Sequence, residues 1–283
     1  MKIGFNLLLW TTHFVEAEFP ILEKLKATGF DGVETPVFDT SDSAPFEAMG
    51  KVLRDLELRS TAVTVAPDEE HNPISPVPGR RQGAVDHLRR VLDCAKAAGA
   101  EVLCGPYYQP LGVFSGESPT EDEKAWGAEV HRAVADHAAG LGVSLAIESL
   151  NRFEAYFLNT IADAADYVRR VNHPSFGTMF DTFHANIEEK DPLAALRENL
   201  DVIRHVHISE NDRGTPGTGH TPIREAIGIL KAGGYDGWLT IEAFGRALPA
   251  LAAATRVWRD FFPSREEVYE KGYRLIRETW DAA

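Results

Sequence analysis

Four short apolar runs each end on a side chain able to hold a cation or move a proton. They read VSLAIE (143–148), FGTMFD (176–181), VIRHVHI (202–208) and GWLTIEA (237–243), and they carry Glu148, Asp181, His207 and Glu242. In a strand, successive side chains point to opposite faces. Ser144, Ala146 and Glu148 then share one face, as do Met179 with Asp181, His205 with His207, and Thr240 with Glu242. Leu145, Ile147, Val206, Ile208, Leu239 and Ile241 take the other face. An acid after a single strand is ordinarily a helix cap or a solvated loop residue. A lone histidine on an apolar strand is ordinarily a satisfied core residue. The same ending on consecutive strands points instead to one shared site. Carboxylates crowded together repel one another and resist ionising, and a divalent cation removes that conflict. Oxygen ligands with one imidazole suit Mn²⁺, Mg²⁺ or Co²⁺; a thiolate would favour zinc.

The elements that must position these groups follow from the spacing. The residues lie 33, 26 and 35 positions apart, each about one strand–helix unit. Upstream, strands are expected near 3–9, 31–36, 59–65 and 101–105. Helical periodicity falls at 17–28, 44–57, 79–98, 121–140, 160–171, 191–199, 222–233 and 246–261. A last helix near 264–281 opens with a capping box, Ser264 to Glu267. Gly29, Gly99, Gly142 and Gly234 follow helices, at the position where a helix ends in a left-handed residue. Eight such units predict one α/β domain over 1–283, a (β/α)8 TIM barrel, whose active site forms at the carboxyl ends of the strands.

Bulk composition narrows the function. The chain has 283 residues, is 44% hydrophobic, and carries a formal charge of −14 with no long basic run. An acidic surface repels phosphate backbones, so no nucleic-acid partner is expected. No stretch of about 18 apolar residues and no signal-like start is present, so a cytoplasmic protein with no membrane partner is expected. Cys94 and Cys104 lack CxxC spacing and read as reduced structural thiols.

The segments IESLNRFEAYFLNT (147–160), MFDTFHANIEE (179–189), HVHISENDRGTPGTGH (205–220) and GYDGWLTIEAF (234–244) resemble the xylose isomerase-like sugar isomerase/epimerase barrels. Among these the chain is most similar to the ketose 3-epimerases of the D-tagatose and D-psicose group. GFDGVETP (29–36) and CGPYYQPLG (104–112) extend the likeness more loosely into the first half. The resemblance implies that Glu148, Asp181, His207 and Glu242 bind the metal, Mn²⁺ first. It implies that Glu154, His184 and Arg213 contact a small sugar, His184 from the loop after its strand. It also implies a homodimer or homotetramer, with which Trp258, Phe261 and Phe262 are compatible. The first strand ends NLLLWTTHF rather than in a tyrosine-rich start, so the pocket candidates are Asn6, Trp10, Tyr108 and Phe244.

These residues permit inversion at C3 of a ketose such as D-tagatose, D-psicose, D-fructose or L-ribulose. The cation acidifies the C3 hydrogen. One glutamate, Glu148 or Glu242, removes it to give a cis-enediolate, and the other returns a proton to the opposite face. Aldose–ketose or inositol-pathway isomerisation, or a lyase reaction on a 3-keto-glycoside, would use the same metal site. An endonuclease IV-like hydrolase would need several metals and a basic groove. A non-catalytic sugar-binding barrel would leave the ligand set idle. GTPGTGH (214–220) is glycine-rich and precedes a helix, as a phosphate seat would, but no lysine accompanies it. A free sugar is therefore expected.

Overall fold

The computed structural model describes residues 1–13 and 15–283. Short apolar runs pair in parallel as β1 (Lys2–Asn6), β2 (Gly32–Pro36), β3 (Arg59–Val63), β4 (Ala100–Gly105), β5 (Ser144–Ile147), β6 (Phe176–Asp181), β7 (Ile203–Ile208) and β8 (Trp238–Ile241). They close in sequence order, with Gly4 opposite Thr240 and Phe5 opposite Ile241 where β1 meets β8. Parallel neighbours need long crossovers, here helical. These are α1 (Phe19–Thr28), α2 (Ala44–Asp55), α3 (Pro78–Ala97), α4 (Glu121–Leu141), α5 (Ile161–Val171), α6 (Thr182–Glu188), α7 (Pro192–Glu198), α8 (Ile223–Ala232), α9 (Pro249–Ala254) and α10 (Arg265–Ala282). Among the described residues no helix is long and apolar enough to cross a membrane. Both cysteines are free and buried.

The outward faces of the strands pack against the helices in two large apolar clusters. A third cluster fills the barrel interior with Val63, Val102, Cys104, Ala146, Met179 and Trp238. Trp238 plugs the amino-terminal end. Gly32 makes room for it, since a Cβ there would lie 2.6 Å from the indole Cη2.

Three boundaries differ from the sequence expectation. The first strand stops at Asn6, whose Oδ1 accepts from Leu8 N (2.9 Å) and turns Leu7–Leu9 into a 3₁₀ turn. The helix expected at 246–261 is only Pro249–Ala254. Arg256 takes a left-handed φ of 60°, and Val257 N donates back to Ala252 O (2.9 Å), a Schellman ending. The segment after β6 is helical rather than a loop. Asp181 Oδ1 accepts from Phe183 N (2.6 Å) and His184 N (3.4 Å) and caps α6, so His184 stands on its first turn.

One buried histidine of the outer layer gives a stability test. His131 of α4 is packed among Tyr107, Tyr167 and Phe176, and its Nδ1 accepts from Tyr167 OH (2.6 Å). Burial pushes its pKa down to about 4 from an ordinary 6.5. The unfolded chain therefore takes up a proton first, and stability is lost as pH falls from 6.5 towards 4. Between pH 7 and pH 5 this site should cost about 2 kcal/mol. Urea denaturation at the two pH values should show that loss in the wild type and a loss smaller by about this amount in His131→Phe.

Candidate active site

The β6–β7 register sets Asp181 beside His207. Glu148 and Glu242 lie one residue beyond β5 and β8. Their backbone N–H groups still donate to Gly105 O and Ile208 O (both 3.1 Å), so the ladder pattern continues and both side chains face the mouth. Asp181 commits Oδ1 to the α6 cap and turns Oδ2 towards the site. His207 Nδ1 lies 3.6 Å from Asp181 Oδ2 and 3.4 Å from Glu242 Oε1 and is hydrogen-bonded to neither. This nitrogen is buried and has no hydrogen-bond partner. Glu148, Asp181 and His207 present donor atoms within 4.8 Å of one another.

Beneath them lies a second group of ligand-type residues: Glu34, Cys104, His205 and His207. The two groups are distinguishable by distance. Bonds of about 2.1 Å to an ion hold neighbouring ligand atoms about 3 Å or more apart. His207 Nε2 is 2.7 Å and His205 Nε2 2.8 Å from Glu34 oxygens, which is hydrogen-bond spacing. The ring nitrogens of His205 also lack hydrogen-bond partners, so the distances decide, and the 3.4–3.6 Å separations of the upper group fit a cation. The electrostatics agree. Burial lowers the proton affinity of His207, yet Glu34 and Glu242 hold it well above its ordinary value. Burial and then Glu242 raise the Glu148 carboxyl well above the usual range. Asp181 is held below that range, against burial, by His207 and Arg213. The pocket therefore favours added positive charge at its centre.

Arg213 and His184 complete the rim. The Arg213 guanidinium sits between the rings of Phe183 (3.7 Å) and Phe244 (4.9 Å). Its Nη1 donates to Glu242 Oε2 (2.7 Å), Ser209 Oγ (3.2 Å) and Asp181 Oδ2 (3.4 Å). Burial and then Arg213 push the pKa of His184 down to about 3, so the ring is neutral. Asn151 N donates to its Nδ1 (3.0 Å), which leaves the ring proton on Nε2. That Nε2 lies 3.0 Å from Arg213 Nη2 and 3.7 Å from Glu148 Oε1. Two donors thus converge on one point. Glu154 is half-buried and held by Asn151 Nδ2 (2.7 Å).

The remaining expected residues divide. Asn6 Nδ2 bridges Glu34 Oε1 (2.9 Å) and Glu242 Oε1 (3.1 Å). Tyr108 is buried, donates to Leu158 O (3.2 Å) and lies close enough for Glu148 and Glu154 to act on its hydroxyl. Trp10 is not brought to the site. The 3₁₀ turn sends it to the outer face, 4.9 Å from Phe5 and 6.3 Å from Tyr269 between ring centroids. Leu8 packs into the interior cluster instead, with Phe38, Leu251, Val257 and Phe244. Sequence reasoning missed Glu34. The available signal was an acid inside an apolar strand, at a position whose cross-strand partners are Asn6 and Thr61.

Donor sets thus stand at the carboxyl ends of consecutive staves of a closed parallel barrel. Residues 22–279 match the xylose isomerase-like TIM barrel family, and the chain belongs to it. It is 31% identical to a probable ketose 3-epimerase of Synechocystis, over 99% of this chain and 97% of that one. It is also 31% identical to the ketose 3-epimerase of Arthrobacter globiformis, over 98% and 96%. A solved D-allulose 3-epimerase from Methylomonas, in complex with D-allulose, superposes with a TM-score of 0.90 at 26% identity, over 99% and 97% of the two chains.

Asp181→Asn separates the two oxygens of this residue. The amide oxygen can still cap α6, so the melting temperature should fall by no more than a loss of about 1 kcal/mol implies. Mn²⁺ affinity, read by calorimetric titration, should fall by more than the 10–100-fold typical of residues that only support a ligand.

Proposed function

We propose that this chain is a metal-dependent ketose 3-epimerase that inverts C3 of a free ketose. The observation that carries the reading is the pair Glu148 and Glu242. They come from the ends of non-adjacent staves, β5 and β8, and lie close enough for Glu242 to raise the Glu148 carboxyl. Epimerisation needs proton removal on one face of C3 and return on the other. Aldose–ketose isomerisation moves a proton along one face and needs only one base. Glu148 and Glu242 exchange the roles of acid and base with the direction of reaction, through a cis-enediolate. The converging Nε2–H of His184 and Nη2–H of Arg213 supply two donors for the C2 oxygen as it gains charge. Glu154 and Tyr108 would contact the sugar's remaining hydroxyls. A divalent ion, Mn²⁺ with Mg²⁺ or Co²⁺ as alternatives, would be held by Glu148, Asp181, His207 and Glu242 and would supply Lewis acidity worth several kcal/mol.

The glycine-rich loop after β7 supports a sugar without phosphate. Glu210 accepts from the backbone N–H groups of Asn211 (3.0 Å), Gly217 (2.8 Å) and Thr221 (3.0 Å). The protein's own carboxylate fills the seat that a phosphate would need. D-Tagatose, D-psicose, D-fructose and L-ribulose are the substrates to try. Trp258 and Phe261, both exposed, fit a homodimer or homotetramer.

Incubation of these ketoses with the Mn²⁺-loaded protein in D₂O should place solvent deuterium at C3, read by NMR. Label at C1, or an unsaturated product, would overturn the assignment in favour of an isomerase or a lyase. Glu148→Gln and Glu242→Gln should each lower kcat by roughly 10²–10⁴-fold.

A further inference from the structure

We infer that Glu34 is the positioning residue of the metal centre: it fixes His207 in the Nε2–H tautomer and, through Asn6, sets the orientation of Glu242. The inference rests on the metal reading above. Glu34 lies on β2, fully buried, on the opposite side of the barrel interior from β6. As a carboxylate it can only accept hydrogen bonds. It accepts from Asn6 Nδ2 (2.9 Å), Thr61 Oγ1 (2.9 Å), Cys104 Sγ (3.2 Å) and His207 Nε2 (2.7 Å), and His205 Nε2 lies 2.8 Å away.

Two consequences follow for the site above it. The proton of His207 must sit on Nε2, because the other tautomer would set a lone pair against a carboxylate oxygen at 2.7 Å. The Nδ1 lone pair is then the one aimed at Asp181 and Glu242. Asn6 cannot flip its amide, because its Oδ1 accepts from Leu8 N (2.9 Å). Its Nδ2 therefore faces Glu34 and Glu242 together and ties one oxygen of an acid/base residue to the same buried anchor. Support of this kind raises ligand basicity and holds ring orientation, and its loss typically costs 10–100-fold in metal affinity.

The test compares wild type with Glu34→Gln. The amide keeps the volume and can turn its oxygen towards His207, while Thr61 and His205 can accept from its NH₂. Mn²⁺ titration followed by electron paramagnetic resonance should give one site in the wild type and 10–100-fold weaker binding in Glu34→Gln. Nitrogen-15 NMR of the metal-free wild type should show His207 protonated at Nε2, a readout that does not depend on how the variant folds. Equal Mn²⁺ affinity in the two proteins overturns the inference and leaves the metal reading standing. So does a lowered melting temperature with unchanged affinity, or a wild-type His207 that carries no proton on Nε2. A wild type that binds no Mn²⁺ removes the metal reading and this inference with it.

Discussion

Everything at the mouth of this barrel is governed by an excess of buried negative charge. Glu34, Glu148, Asp181 and Glu242 are all at most 5% exposed. Among the described residues Arg213 is the one lysine or arginine that is buried with them. Carboxylates in a dry site carry a desolvation cost that only close opposite charge offsets. The protein partitions the cost. Glu34 is satisfied by Asn6, Thr61, Cys104 and His207, Asp181 by the first turn of α6, and Glu242 by Arg213. What remains uncompensated is the space between Glu148, Asp181, Glu242 and the unpartnered Nδ1 of His207. Such a site sacrifices stability for affinity, as functional sites commonly do.

The fold serves that charge cluster at several levels. Closure of the strands brings β2, which supplies Glu34, across the interior from β7. The short β6–α6 junction lets Asp181 cap the helix with one oxygen and turn the other towards the site. Thr182, next in sequence, donates to Ser209 O (2.7 Å) and accepts from Ser209 N (2.8 Å). That double bond locks the start of α6 to the end of β7, and so fixes His184 relative to Arg213. The rigidity matters because positioned groups contribute to catalysis only when their geometry needs no further reorganisation.

Much of this was legible in sequence because the strand period is two and barrel units recur at regular spacing. Glu148, Asp181, His207 and Glu242 could be read off as inward strand ends without knowing any contact. Glu34 was missed, since its partner His207 is 173 residues away and its local signal, an acid inside an apolar strand, does not say what it pairs with. Helix α6 was hidden for a different reason. Asp181 read as a ligand, and a ligand was not also considered as a cap. Trp10 depended on a 3₁₀ turn whose direction no periodicity encodes. The break at Arg256 carries no glycine to announce a left-handed residue.

Arg213 shows how far local strain and function are joined here. It adopts φ of 64° without being glycine, a conformation that costs free energy unless its surroundings impose it. Its surroundings do. Phe183 and Phe244 sandwich the guanidinium, Phe244 N donates to Arg213 O (3.0 Å), and Glu242 takes Nη1. With Nη1 committed in this way, Nη2 is left facing His184 Nε2–H, donor towards donor. Such an arrangement is unfavourable with nothing between the two groups and favourable once an oxygen that gains negative charge lies within reach of both. The repulsion is held in the resting site, and an anionic oxygen within reach of both donors would relieve it, which is the condition for stabilising a developing charge more than a neutral group.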